Sequence, residues 1–407
     1  GWLTGDESAV LGVTFISVYN FLGTLFINAL KMLIVPLITS SIIVGVAGIG
    51  ATANLGRLGG KTLLIYATTS LLAVLVGLFF VNLVQPGLID GQPARELLAL
   101  GADADVVADR IGDRDIGAVV EIFIRMVPTN VVQAAAQGQM LGLIFFSVLF
   151  GYFMTRIDHA LSNVLYRFWD GVFHVMMQMT EWVMMFAPIG VFGLVAKTVA
   201  QTGLGAALPL VIFALTVVAA LLVHSTVTIP VLLRVIARVP AYRIFPAMAP
   251  ALLTAFSTAS SSATLPVTMD CLEKRAKVSG KVTSFVLPLG ATVNMDGTAL
   301  YECVAAIFIA QAYGLDLSFG VQFIIVITAL ITSIGVAGIP SASLVAIAII
   351  LSAVGLPVEA LGVLFVFDRI LDMLRTSTNV LGDSSTAIIV ARLEGEEGIL
   401  SGSGTTG

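Results

Sequence analysis

Charge is scarce in this 407-residue chain: Asp, Glu, Lys and Arg make up only 11% of it, against 58% hydrophobic residues and a mean hydropathy of +1.03. Soluble domains carry about a quarter charged residues, so this composition excludes a soluble globular protein. Cysteine is nearly absent. Cys271 and Cys303 lie far apart without metal-type spacing, which indicates neither a disulfide framework nor a zinc site. The three histidines, His159, His174 and His224, are scattered and read as interface or packing residues. The net charge is −5 and no basic block is long enough to suggest nucleic acid. No Asn-X-Ser/Thr sequon occurs, so nothing marks a glycosylated eukaryotic surface protein. No cleavable signal peptide is visible at the start. A prokaryotic inner (plasma) membrane is the expected location.

What the chain has in abundance is long apolar sequence. Lipid accepts only helices or closed barrels, and these runs exceed barrel-strand length, so the expected class is an all-α polytopic membrane protein. Basic residues gather at Arg57/Lys61, at Arg234/Arg238/Arg243 and at Lys274/Arg275/Lys277/Lys281, which the positive-inside rule assigns to the cytoplasm. The Asp-rich loop 90–115 is then expected outside.

Full-length spans are expected over 16–49, which contains Lys31 and Pro36, and over 61–87 and 205–234, with a Met-rich segment over 163–200 that carries a break at Pro188-Ile-Gly190. Residues 116–157 are interrupted by Pro128-Thr129-Asn130 and Gln137-Gly138-Gln139, which predicts a segmented span. In the 61–87 span, Tyr66, Thr69 and Ser70 share one helix face. Such hydroxyls commonly bond back to the carbonyl one turn earlier.

The pattern then changes. Residues 245–256 are apolar for too few positions to cross, since a crossing needs ~20 apolar residues, and they run into a Ser/Thr-rich stretch, 257–264. A re-entrant hairpin is expected here, and a second one where 321–334 and 344–356 flank 335–343. Each hairpin precedes a long span, 281–312 and 358–393. Paired interrupted segments of this kind point to a transporter site near the bilayer midplane.

Two stretches carry the chemistry. The first is Pro288 to Glu302, which places Asn294, Asp296 and Glu302 in apolar surroundings. An Asp at the centre of a span costs roughly 2.5–3.5 kcal/mol on insertion scales, so such groups bind or pair with something. Gly290 and Gly297 are expected to let the helix unwind there and present carbonyls to a cation. The alternative is a kinked span whose polar groups satisfy one another. The second stretch is Asp368, Asp372, Arg375, Asn379 and Asp383, which fall within about 80° of arc on one helix face. A polar face of this kind looks into protein or a watery cavity. Here the alternative is a neutralised ladder of Asp372 with Arg375. A guanidinium suits a carboxylate and Asp372 suits an ammonium. Backbone N–H groups and hydroxyls at the hairpin tips suit a second carboxylate. One ammonium and two carboxylates describe an acidic α-amino acid. Asn294, Asp296, Asn379 and Asp383, with unwound carbonyls, offer oxygen-only ligation of a hard monovalent cation.

In Ser260-Ser-Ser-Ala-Thr-Leu-Pro266, Asn294-Met-Asp-Gly-Thr298, Gly335-Val-Ala-Gly-Ile-Pro340 and Asp372-Met-Leu-Arg-Thr-Ser-Thr-Asn379 with Gly382-Asp383, the chain resembles the dicarboxylate/amino acid:cation symporter family over nearly its whole length. That family includes archaeal aspartate transporters and animal excitatory amino-acid transporters. The resemblance implies the glutamate-transporter elevator fold, with two re-entrant helical hairpins and broken helices, in a homotrimer. It implies a scaffold of residues 1–56 and 116–202 and a transport domain of 57–89 and 205–393, with hairpins near 241–275 and 318–357. Residues 394–407 then form a flexible tail.

Carried over by that likeness, Arg375 holds the substrate side-chain carboxylate, helped by Thr298. Asp372 and Thr376 meet the α-amino group. Asn379 and Ser261 meet the α-carboxylate, and Ile339 contributes gate backbone. Ser260, Ser262, Ser343 and Asp368 complete the substrate set. One Na+ site uses Gly290, Asn294, Asn379 and Asp383. A second uses carbonyls near Thr292, Ser333, Ile334 and Val336, and a third uses Tyr66, Thr69, Ser70, Asn294 and Asp296. Glu302 stands where animal members carry the Glu tied to proton cotransport, which implies H+ coupling and K+ return beside Na+.

The chain departs from the family at several places. Residues 1–15 are too short for the family's first scaffold span. Ala259 and Met373 occupy the two positions where a member carries an arginine near the substrate, and Arg369 is the candidate replacement. Ser343 replaces a usual Gly. Other readings weighed are a proton-driven acidic amino-acid or C4-dicarboxylate symporter, the latter leaving Asp372 without an ammonium, and a neutral amino-acid carrier, which would leave Arg375 without its anion. An anion channel and an intramembrane serine hydrolase with His224 as base stand outside the class. The leading expectation is Na+-coupled symport of L-glutamate or L-aspartate.

Overall fold

A computed structural model describes residues 9–10, 13–51, 56–101, 107, 124, 127–137, 140–202, 207–315, 317–335 and 343–401, and these are predominantly helical. Strand structure among them is confined to two-residue pairings such as Leu88–Ile89 with Gln92–Pro93. Helix α1 spans Phe15–Ala51 and α2 spans Gly56–Val84. The expected segmentation follows: Asn130 caps a short α3 (Val131–Ala136) by accepting from the N–H groups of Val132 and Gln133. Helices α4 (Met140–Met154), α5 (His159–Met185) and α6 (Ala187–Thr202) come next. Pro188 sits in the first turn of α6, where its missing N–H costs no helical bond.

Helix α7 (Ala207–Val223) runs on without a break through π-helical turns at His224–Thr228 and Leu233–Ala237, joined by Ile229–Leu232. Leu58–Val84, Ala207–Ala237 and Gly280–Ala312 are each long and apolar enough to cross a membrane. Large apolar side chains such as Phe21, Leu25, Phe79, Leu83 and Trp182 are more than half exposed, a surface suited to lipid or a protein partner and not to water.

The first short-armed element is α8 (Ile244–Thr258) followed by α9 (Ser261–Asp270), packed against each other. At 1.5 Å per residue neither arm spans the ~30 Å hydrocarbon core. The chain reverses at Ala259, which is left-handed with φ +51°, and Ser260 then caps α9 by accepting from the Ala263 N–H. The second pair is α12 (Phe319–Gly335) and α13 (Ser343–Val354), which also pack together. Its tip, 336–342, lies outside the described residues, and with it Val336 and Ile339.

Between the two pairs the chain forms α10 (Gly280–Val293) and α11 (Asp296–Ala312), and after the second pair α14 (Phe365–Leu393). Helix α1 packs on α4, α5 and α6, while α11 and α14 form the centre of a second group with α2, α7, α10 and both short-armed pairs. Every residue of α11 is buried, and so is almost all of the second half of α14. Helix α11 and the second half of α14, so enclosed, carry their polar residues toward each other.

One end of the molecule collects the basic segments. Lys61 pairs with Glu394 at 2.6 Å and donates to the Leu393 carbonyl at 2.7 Å. Arg392 reaches the Ala237 carbonyl at 3.2 Å, and Arg243 the Leu400 carbonyl at 3.2 Å. The flexible tail expected over 394–407 does not hold for its first part. Glu396 accepts from the Ser279 N–H at 2.9 Å and from its hydroxyl, and Ile399 and Leu400 are buried. Residues 402–407 lie outside the described set.

Candidate functional site

The site forms where the α10–α11 break meets the polar face of α14. The helix unwinds at Asn294 (φ −109°, ψ 89°) and Met295 (φ −117°, ψ 66°), both buried. Gly290 and Gly297, expected to supply that flexibility, sit inside helices instead. Their role is close approach. A Cβ on Gly290 would lie 2.6 Å from the Tyr66 hydroxyl and 2.7 Å from Asp383 Cγ, and one on Gly297 would lie 2.6 Å from the Arg375 carbonyl.

Two groups of contacts result. Around the break, Asn294 donates through Nδ2 to Asp383 Oδ1 at 3.0 Å, and its Oδ1 accepts from Thr69 at 3.2 Å and Ser70 at 3.3 Å. Ser70 also donates to Asp296 Oδ1 at 2.8 Å. Tyr66 donates to the Val286 carbonyl at 2.7 Å and lies beside Gly290 and Asp383. Thr69 makes the local bond expected of a membrane hydroxyl, to the Tyr66 carbonyl, as well as the long-range one. Asp296 and Asp383 are buried, and no Lys or Arg pairs with either among the described residues. Two buried carboxylates with no Lys or Arg partner among the described residues, ringed by hydroxyl and amide oxygens, offer oxygen ligands of the kind a hard cation takes. Among the described residues no three His, Cys, Asp or Glu side chains converge as in a transition-metal site.

About two turns back along α14, toward its N-terminus, lies the second group. Arg375 is fully buried and lies over the Tyr301 ring at 3.9 Å. Its Nη2 donates to Asp368 at 3.0 Å and Asp372 at 2.9 Å. Asp368 also accepts from the Tyr301 hydroxyl at 3.4 Å. The ladder of Asp372 with Arg375 therefore exists, but it uses only one of the three guanidinium nitrogens: Nε and Nη1 have no hydrogen-bond partner among the described residues. Leaving buried donors unmet is costly, more so for a charged group. Nε and Nη1 are donors that an incoming carboxylate can still take up, Nη2 being spent on the two aspartates.

Asn379 links the two groups. Its Oδ1 accepts from the Gly297 N–H at 2.8 Å and its Nδ2 donates to Thr298 at 3.2 Å. Thr376 is buried on the same face. Glu302, on α11, is buried and accepts from Thr332 at 2.9 Å through Oε2, while Oε1 is unpartnered.

The remaining expected residues lie at the edges. Ser260 and buried Ser261 open α9, which packs on α14, whereas Ser262 is exposed. Thr292 belongs to α10, and Ser333 and Ile334 to the last turn of α12. Ser343 is buried at the start of α13 with an unpartnered hydroxyl. Arg369 is exposed, 100° around the helix from Asp368, and so does not join the buried cluster as a replacement arginine.

Three residues of the site were not anticipated in these roles. Tyr301 forms the floor under Arg375, and Thr332 the contact to Glu302. His224, read as packing, is fully buried with Nε2 3.4 Å from Asp296 Oδ2. The signal for His224 was present, since an ionisable residue inside a span is a site candidate by default.

Residues 2–393 match the model of the sodium:dicarboxylate symporter family. The chain belongs to that family. It is a family of transporters, not of enzymes. Among its relatives, the proton/sodium-glutamate symport protein of Bacillus caldotenax is 37% identical over 375 residues, covering 92% of this chain and 87% of that one. The proton/glutamate-aspartate symporter of Escherichia coli (strain K12) is 36% identical over 373 residues, 91% and 84% of the two chains. Excitatory amino acid transporter 3 of Mus musculus is 34% identical over 428 residues, 93% and 80%.

Proposed function

We propose that the protein is a secondary active transporter that carries an acidic amino acid, L-glutamate or L-aspartate, across the membrane in symport with Na+. The observation that carries this reading is Arg375: fully buried, held on one nitrogen by Asp368 and Asp372, and open on the other two. The two open nitrogens suit the substrate side-chain carboxylate as donors. Asp372 and Thr376 are placed one helical turn or less away for the ammonium. Asn379 and the start of α9 at Ser261 are the partners proposed for the α-carboxylate, with Ile339 and Ser343 from the second hairpin. Asp368 acts as the anchor of Arg375.

For Na+ the proposed ligands are Asn294, Asp383, Asn379 and the Gly290 carbonyl at one site, and Tyr66, Thr69, Ser70, Asn294 and Asp296 at another. Carbonyls of Thr292, Ser333, Ile334 and Val336 form a third. Glu302 is the proposed proton carrier, with K+ taking the return step. The Bacillus caldotenax relative, named for proton and sodium coupling, supports both ions, and the Escherichia coli one, named for proton coupling, supports H+. The grouping of α1 with α4–α6, apart from the helices around α11 and α14, supports a scaffold that stays while a transport domain moves as an elevator in a trimer. The bacterial relatives support a prokaryotic plasma membrane.

The deciding experiment is uptake of L-glutamate and L-aspartate into proteoliposomes under an inward Na+ gradient, with pH equal across the membrane. Concentrative uptake that disappears when choline replaces Na+ is the expected result. Uptake driven only by an inward proton gradient would refute Na+ coupling and leave Glu302 as the coupling group.

A further inference from the structure

The second hairpin meets α11 through one polar contact that the transport reading has not used. Thr332, three residues before the end of α12, is 3% exposed and its single hydroxyl proton has three acceptors in reach. These are Glu302 Oε2 at 2.9 Å, the Thr328 carbonyl at 2.8 Å and the Ala329 carbonyl at 3.2 Å. One proton cannot serve them together. When Glu302 is ionised, the hydroxyl donates to the carboxylate. When Glu302 is protonated, the acid O–H donates to Thr332 Oγ, and the hydroxyl proton turns to Thr328. Both states are hydrogen-bonded, and no heavy atom has to move between them.

Valine has the shape of threonine without that ability, so nothing about packing alone calls for a hydroxyl here. The ionisable groups around Glu302 are few. They are Arg375 on α14, with Asp368 and Asp372 bonded to it, and Tyr301 and Cys303 on α11 itself. Helices α7, α12 and α13 contribute none, and Tyr66 on α2 lies by Asp383. Thr332 is therefore the hydroxyl through which the hairpin reaches this carboxyl.

We propose that Thr332 is a positioning residue for the proton carried by Glu302: its hydroxyl serves the carboxylate as donor and the carboxylic acid as acceptor, fastening the first arm of the second hairpin to α11 in both states. The inference rests on Glu302 as the proton carrier. It adds that protonation changes the direction of the α11–hairpin bond without breaking it, so the arm stays docked while the proton is carried.

The test is Na+-driven L-glutamate uptake in proteoliposomes as a function of pH for wild type, Thr332→Val, Thr332→Ser, Glu302→Gln and the double variant that combines Thr332→Val with Glu302→Gln. An anion gains more from a donated hydrogen bond than a neutral acid does, so Thr332→Val is expected to move the pH profile toward higher pH by about half a unit or more. Thr332→Ser is expected to stay within about twofold of wild type. In the Glu302→Gln background the valine substitution should have no further effect on the profile, since interacting residues are non-additive. Thr332→Cys, similar in volume and a weaker donor, gives the same reading if the valine variant does not fold. A Thr332→Val profile that superimposes on wild type, or a shift of equal size in the Glu302→Gln background, would overturn the positioning role alone. A Glu302→Gln profile identical to wild type would overturn the proton-carrier reading, and the inference with it.

Discussion

Arg375→Cys is expected to reduce uptake of L-glutamate and L-aspartate to background while leaving binding of a small neutral amino acid measurable. The guanidinium is buried, and with it gone the substrate side-chain carboxylate enters the site without a charge partner. Truncating one member of a buried hydrogen-bonded charge pair costs roughly 2–5 kcal/mol, or about thirtyfold to several-thousandfold in affinity. The substitution also strips Asp368 and Asp372 of their common donor. Binding of the neutral amino acid is therefore the control that separates lost recognition from lost fold. Arg375→Lys sharpens the case: it keeps a positive charge but only one nitrogen, which cannot both hold Asp368 and Asp372 and present the further donors Nε and Nη1, so it should also lose acidic substrates. Retained glutamate and aspartate uptake in Arg375→Cys would refute the assigned role.

Asp383→Asn should strongly weaken the coupling of transport to Na+, and its effect on stability should have a particular sign. Asp383 is buried against Asn294 Nδ2 with no Lys or Arg partner among the described residues. A buried carboxylate held without a cation costs several kcal/mol, whereas an amide of the same shape avoids that cost. In choline the variant is therefore expected to be at least as heat-stable in detergent as wild type. On adding NaCl, wild type should gain stability as the cation binds the folded state, by RT ln(1 + [Na+]/Kd). Asp383→Asn should gain much less, and its half-maximal Na+ concentration for any residual uptake should rise about tenfold or more. A variant with wild-type Na+ dependence in both measurements would remove Asp383 from the cation site.

The membrane class, the short-armed pairs, the broken span and the polar face of α14 were all legible in the sequence, because hydrocarbon makes polar residues conspicuous. The five residues Asp368 to Asp383 share a face by spacing alone, and all five prove to be buried. A break in the long span at 281–312 was legible from its polar residues, though its cause was not. The unwound residues are Asn294 and Met295, and the flanking glycines are there for the close approach of Tyr66, Asp383 and the Arg375 backbone.

Tertiary structure alone decided which polar groups are already committed and which remain open. That Asp368 anchors Arg375 on Tyr301, that two Arg375 nitrogens have no hydrogen-bond partner among the described residues, and that Arg369 faces outward depend on how α14 is rotated against α11. The contacts of Thr332 with Glu302, of His224 with Asp296 and of Thr69 with Asn294 join residues 30, 72 and 225 positions apart. So does the pinning of residues 394–401 against Lys61 and Ser279. Local periodicity determines which face of a helix is polar. It carries no information about which distant helix that face meets, and a buried polar group becomes a ligand or a spent partner only by what lies across from it.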